Sequence, residues 1–118
     1  MKDSDYDALV DLLNEYDYPF LLLMDIAYFD FYDCDPNIIR SRYHKLSRLN
    51  RNVLINFAFS GSKTFGLYGL RIGASILLSK DALDIENFNN VISFTARSNW
   101  GSSSKLGMSF KNSDERFE

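Results

Sequence analysis

Lys63 is the residue on which any chemistry in this sequence turns. It lies in SGSKTFGLYGLRIG, residues 60–73, a stretch that gathers two hydroxyls (Ser60 and Ser62), an amine, glycines that let backbone approach a ligand, and the guanidinium of Arg71 eight residues after the amine. Hydroxyls, backbone N–H groups and a guanidinium together suit a phosphate. A P-loop is the first such site to test, because Lys63 is followed by Thr64 as in GxxxxGK[ST]. Phe57 and Ser62 occupy both of its glycine positions, so the loop cannot wrap a nucleotide in that way. A lysine at the end of a buried strand has a second use, since burial lowers its pKa and frees a neutral amine for Schiff-base chemistry. On residue types alone, a structural or surface lysine remains the commoner reading.

Such groups act together only if strand ends bring them to one place. Tyr6, Leu9, Val10, Leu13 and Tyr16 recur at helical spacing, and Ser4 with Asp7 resembles a capping box with a shortened acid, which predicts a helix near 5–17. Pro19 ends it. Residues 20–24 are a continuous apolar run of the kind buried on both faces of a parallel sheet, with Asp25 at the carboxyl end. The segment AYFDFYDCD has no clear period and reads as a long loop. Asp35 then caps a helix with Pro36 at its first position, and Ile38, Ile39, Tyr43, Leu46 and Leu49 form its buried stripe to about Asn50. Residues 53–59 are a second buried strand that runs directly into SGSK. Strand, helix, strand is the βαβ grammar of an α/β fold with a mainly parallel sheet flanked by helices, whose ligands bind beyond the carboxyl ends of the strands. Asp25 and the loop 60–63 therefore face one crevice. Residues 71–79 read as another strand, where Gly73 and Ala74 leave room for something to approach closely. A helix over 81–98 follows, and another is expected to begin near Ser102.

The 118 residues form one unit without an internal repeat or linker. No apolar run approaches the ~18 residues of a membrane span. The N-terminus carries acids where a secretory signal has bases, and the lone Cys34 excludes an intramolecular disulfide, so a cytoplasmic setting is expected. The net charge of −3 hides a split, because residues 1–35 hold ten acids and one lysine while residues 36–118 hold six acids and twelve bases. Arg40, Arg42, Lys45, Arg48 and Arg51 cluster around His44. A solvated helix face is preferred to a nucleic-acid surface here, because aromatic interleaving is sparse and the chain is acidic overall. His44 and Cys34 lack partners at ligand spacing, and no metal site is expected.

The stretch around Lys63 resembles the pyridoxal 5′-phosphate attachment motif of class I and II aminotransferases, enzymes of fold type I. That motif has a small residue, then Ser or Ala before the lysine, two free positions, Gly, an apolar residue, and Arg eight after the lysine. Gly61 departs from it, standing where a bulkier residue is usual, which is expected to loosen the loop without removing a ligand group. Independently, MDIAYFDF resembles an upstream motif of the same family, an aspartate at a strand end followed by Ala-Tyr, matched by Asp25, Ala27 and Tyr28. The 38-residue interval from Asp25 to Lys63 agrees with the family's separation.

The resemblance implies a three-layer α/β architecture and a role for each matching residue. Lys63 would form the internal aldimine with the cofactor aldehyde and later carry a proton in the transamination of an amino acid with a 2-oxo acid. Asp25 would pair with the pyridinium nitrogen, Tyr28 would bond the phenolic oxygen, and Ser60 and Arg71, with Ser62 as a third partner, would hold the phosphate. TARSNWGSSSKLG is similar to a further family segment through Arg97 and Trp100, while Gly101, Ser102 and Ser103 depart from it. Arg97 is accordingly a substrate-specificity candidate, with a helix-end arginine completing the macrodipole as the plain alternative. The family also implies a homodimer, with neither nucleic acid nor membrane as partner. Residues 1–118 would be a partial large domain, lacking the N-terminal segment and the small domain, and so inactive or incomplete alone. A lyase or decarboxylase of the same fold, and a noncatalytic fragment, are the other readings the motifs allow.

Overall fold

The structure, a computed structural model, describes residues 2–31, 35–99, 101 and 105. Its elements follow in the order α1 (Asp3–Asn14), β1 (Phe20–Asp25), α2 (Pro36–His44), β2 (Val53–Ser60), the single turn α3 (Gly61–Thr64), β3 (Gly73–Leu78) and α4 (Ala82–Asn99). Short 3₁₀ turns stand at Phe29–Phe31, Lys45–Arg48 and Tyr68–Leu70.

The first helix begins earlier than the spacing of Ser4 and Asp7 implies. Lys2 is the N-cap, and the Asp5 carboxylate accepts from the Lys2 backbone N–H. Asp7 is thereby left for other work, described below. Further along, Asp35 caps α2 as expected, its Oδ1 accepting from Asn37 N at 2.8 Å ahead of Pro36 at the start of the helix.

β1 and β2 pair in parallel, from Phe20 opposite Val53 to Asp25 opposite Ala58, with α2 in the crossover. β3 runs antiparallel to β2, from Ile55 opposite Leu78 to Ser60 opposite Gly73. The sheet is thus mixed rather than mainly parallel. The physical reason is the connection over residues 61–72, which spends its length in short turns at one end of the sheet and has no helix to carry the chain back along it.

Alternation decides which face is covered. Val53, Ile55 and Phe57 of β2 are buried, and with Tyr6, Val10, Leu46 and Leu49 they form the core, against which Phe20, Leu22, Met24 and Tyr43 pack. Each such side chain contributes about 1.5–3 kcal/mol as an upper bound. The intervening residues point the other way, where Leu21 and Leu23 of β1 are exposed. Among the described residues, α1 and α2 lie on one side of the sheet, α4 buries no side chain, and a third layer is not seen.

The charge split closes on itself. Asp3 of α1 bonds Arg42 at 2.6 Å, and Asp7 bonds Lys45 at 2.6 Å as well as Arg48. Arg42, Lys45 and Arg48 of the basic cluster are therefore engaged by the acidic helix rather than only solvated. Its pairs are partly exposed and screened by solvent, so they orient the helices more than they stabilise them. Lys45 and Arg48 hold the Asp7 carboxyl below its ordinary pKa.

Candidate functional site

β1 and β2 deliver their carboxyl ends side by side, with Ile26 N donating to Ala58 O at 3.0 Å. Asp25 is the last residue of β1, and its Oδ1 accepts from Ala27 N at 3.0 Å. The carboxylate is aimed by its own turn and has no ion-pair partner among the described residues. Two residues on, the chain enters a 3₁₀ turn that sends Phe29 inward to stack on Tyr43 and leaves Tyr28 59% exposed.

The loop after β2 is packed tightly. Gly61 is buried, its N–H donates to Ile72 O at 3.1 Å, and a Cβ there would meet Ile72 Cγ1 at 2.9 Å. The glycine expected to loosen this loop instead lets the outgoing and returning chains touch. Gly73 makes a closer approach, since a Cβ would stand 2.6 Å from the carbonyl oxygen of Phe59. The space left by this glycine is filled by backbone.

Lys63 sits in the turn between these contacts, half-buried. Its Nζ lies 5.3 Å from the ring centroid of Tyr28 and 4.8 Å from that of Tyr68. This juxtaposition joins the turn after β1 to the loop after β2, as the strand grammar requires. It also bears on one expectation, because a side-chain hydrogen bond with Tyr28 raises the Lys63 pKa above its ordinary value although burial opposes it.

Arg71 has φ 51 and ψ 48, the only described residue other than glycine with positive φ. That conformation costs a non-glycine residue about 1–2 kcal/mol. It also delays the third strand, which begins at Gly73 rather than at residue 71. From this position Arg71 Nη1 donates to Ser62 Oγ at 3.5 Å and to Tyr68 O at 3.3 Å. Ser62 is 5% exposed, Ser60 ends β2, and the two hydroxyls with the guanidinium stand on one short loop. Thr64 Oγ1 is buried there without a hydrogen-bond partner. An unsatisfied buried hydroxyl beside a donor-rich loop is a place where a polar ligand relieves a cost.

Of the sequence candidates, Asp25, Tyr28, Ser60, Ser62, Lys63 and Arg71 thus share one end of the sheet. Arg97 does not join them in any described contact, being exposed in the last turn of α4, and Trp100, Ser102 and Ser103 lie outside the described residues, as does Cys34. His44 is exposed at the end of α2, at the edge of a groove of about 470 Å³ that no site residue lines. No cluster of metal-ligating side chains occurs among the described residues, and no described helix is long and apolar enough to cross a membrane. Tyr68 and Thr64 were not legible as site residues. Nothing separates Tyr68 from the other six tyrosines until the loop folds back to Lys63.

The model of the family described as aminotransferase class I and II matches residues 1–104. Among solved structures, the crystal structure of an aminotransferase from Anaerococcus prevotii DSM 20548 is similar at a TM-score of 0.80 and 34% identity, over 87% of this chain and 26% of that one. The chain therefore spans about a quarter of that protein's length. No curated protein matches the sequence.

Proposed function

Because the chain belongs to the aminotransferase class I and II family, we propose that its sheet end is the pyridoxal 5′-phosphate site of an enzyme that transfers an amino group between an amino acid and a 2-oxo acid. The observation that carries this reading is the placement of the Lys63 amine between Tyr28 and Tyr68, on a loop that also holds Arg71 against Ser62, with the Asp25 carboxylate at the neighbouring strand end. The donor set fits the group. Two hydroxyls and a guanidinium match a phosphate, an unpaired carboxylate matches a ring N–H, and an amine matches an aldehyde.

Pyridoxal phosphate, when bound, supplies an aldehyde and an electron-withdrawing ring that weakens the Cα–H bond of an attached amino acid. The protein's residues do the rest. Arg71, Ser60 and Ser62 would hold the phosphate and so orient the group toward Lys63. Asp25 accepts a hydrogen bond from the ring nitrogen and keeps that nitrogen protonated. Tyr28 donates its O–H to the phenolic oxygen. Lys63 would hold the group through Nζ at its aldehyde carbon, with loss of water, and as a free amine would hold and return the proton taken from the substrate Cα. Substrates, and a homodimer with sites at its interface, belong to the whole protein and follow from the family.

The test is to incubate the full chain with pyridoxal phosphate, reduce with borohydride and map the modified peptide. The expected result is an adduct on Lys63 that is absent in Lys63→Ala. A folded chain that gives no adduct, or one spread evenly over its lysines, would overturn the reading.

A further inference from the structure

The contact between Lys63 and Tyr68 has no part in the roles assigned so far. Tyr68 lies in the 3₁₀ turn Tyr68–Leu70, whose backbone is tied down from both sides. Its carbonyl accepts from Arg71 Nη1 at 3.3 Å, and Leu70 N donates to Leu67 O at 3.2 Å. The ring is 57% exposed, so core packing does not account for its position. It stands over the amine, with Nζ 4.8 Å from its centroid, nearer than Tyr28 at 5.3 Å. Both distances lie within the ~6 Å over which a ring face attracts a cation.

We infer that Tyr68 is a positioning residue for Lys63: its ring, together with that of Tyr28, lies within reach of the Nζ ammonium and sets how readily the amine becomes a nucleophile. This rests on the reading that Lys63 is the cofactor-binding amine. The attraction acts on the charged form only, and it disappears when the proton leaves. Tyr68 thus orients the side chain toward the strand end while restraining attack until a proton acceptor is at hand. The groups facing Lys63 are Tyr28 from the turn after β1 and Tyr68 from the loop before β3. Among the described residues no carboxylate pairs with Lys63, and the neighbouring cation, Arg71, is directed at Ser62 and the Tyr68 carbonyl. The Lys63 pKa is raised chiefly by a side-chain hydrogen bond with the Tyr28 hydroxyl, with Tyr68 a smaller cause, so the ring contact stands on its geometry and the Tyr68→Phe variant separates ring from hydroxyl.

The experiment uses a small neutral aldehyde, propionaldehyde, with cyanoborohydride on the full chain at mildly alkaline pH, following modification of Lys63 by peptide mapping with the exposed Lys80 as internal reference. No cofactor takes part, so failure of the ring contact and failure of pyridoxal phosphate to attach are separate results. Tyr68→Leu should speed Lys63 modification about two- to fivefold, the factor that loss of one exposed cation–π contact implies. Tyr68→Phe, which keeps the ring, should react as the wild type does. Equal rates in wild type and Tyr68→Leu would overturn the inference, and so would a Phe variant that behaves like Leu, since the hydroxyl would then be the cause. In case the Leu variant does not fold, the wild type carries its own check by NMR. The ε-CH₂ signal of Lys63 should be displaced upfield by the ring current of Tyr68, and an undisplaced signal would refute the ring contact.

Discussion

Replacing Gly73 by alanine probes the joint that holds the two halves of the site together. Gly73 opposes Ser60 at the end of the antiparallel pair, one residue after the carbonyl of Ile72 accepts from Gly61 N. A methyl group at Gly73 would stand 2.6 Å from Phe59 O, a backbone atom that cannot swing aside as the end of a side chain could. Strand β3 must therefore move away from β2, stretching the pairing that places Arg71 opposite the Lys63 turn. Overpacking of this kind costs about 1–3 kcal/mol, and the stiffer unfolded chain returns about 0.4–1 kcal/mol, leaving a net loss near ~1–2 kcal/mol. For a urea slope of about 1–3 kcal/mol per molar, the midpoint should fall by roughly 1 M. Circular dichroism in a urea series measures it. Gly69→Ala is the matched control, because a Cβ at Gly69 meets nothing within 4 Å, and it should leave the midpoint unchanged or slightly raised. Gly73→Ala should also reduce trapping of pyridoxal phosphate on Lys63 at concentrations where the protein stays folded. An alanine variant as stable as the wild type would refute the argument that backbone contact at this strand end fixes the loop.

Two further outcomes follow from other contacts. Arg71→Gly relieves the left-handed backbone, worth about 1–2 kcal/mol of strain, so the variant should be no less stable than the wild type while losing at least about tenfold in affinity for pyridoxal phosphate; a fall in stability without a fall in affinity would remove Arg71 from the phosphate site. Asp7→Asn tests the acidic end of the pH profile. The carboxyl has a lower pKa folded than unfolded, so its stabilisation is present above the ordinary carboxylate pKa and is lost as the pH falls through the depressed folded value. Wild type should then exceed Asp7→Asn in thermal stability at neutral pH and low salt, with the gap closing in acid and in high salt. A gap independent of both would show that packing, rather than charge, joins α1 to the basic segment.

The elements, and the end of the sheet where chemistry would occur, could be read from short-range pattern because they obey short-range rules. Continuous apolar runs mark 20–24 and 53–59 as strands, though the structure covers only one face of the sheet and leaves Leu21 and Leu23 exposed; a capping aspartate before proline marks the start of α2, and the handed crossover places Asp25 and Lys63 at the same end. The spacing of residue types from Ser60 to Arg71 belongs to the same class of information. Other features depend on groups far apart in the chain, and no local period encodes them. The pairing of Asp3 and Asp7 with Arg42, Lys45 and Arg48 spans about forty residues, and it turned an apparent charge imbalance into an internal contact. Likewise Asn14 Oδ1 accepts from Asn50 N at 2.8 Å, fixing the exit of α1 to the entry of β2. The direction of β3 was decided by a backbone fit, Gly73 against Phe59 O, and by the turn that Arg71 makes at positive φ. The surroundings of Lys63 belong to the same class. Burial alone would have lowered its pKa; local spacing puts a lysine at the strand end, but two tyrosines from separate loops reach it only once the chain folds, because no short-range rule links residues 28, 63 and 68.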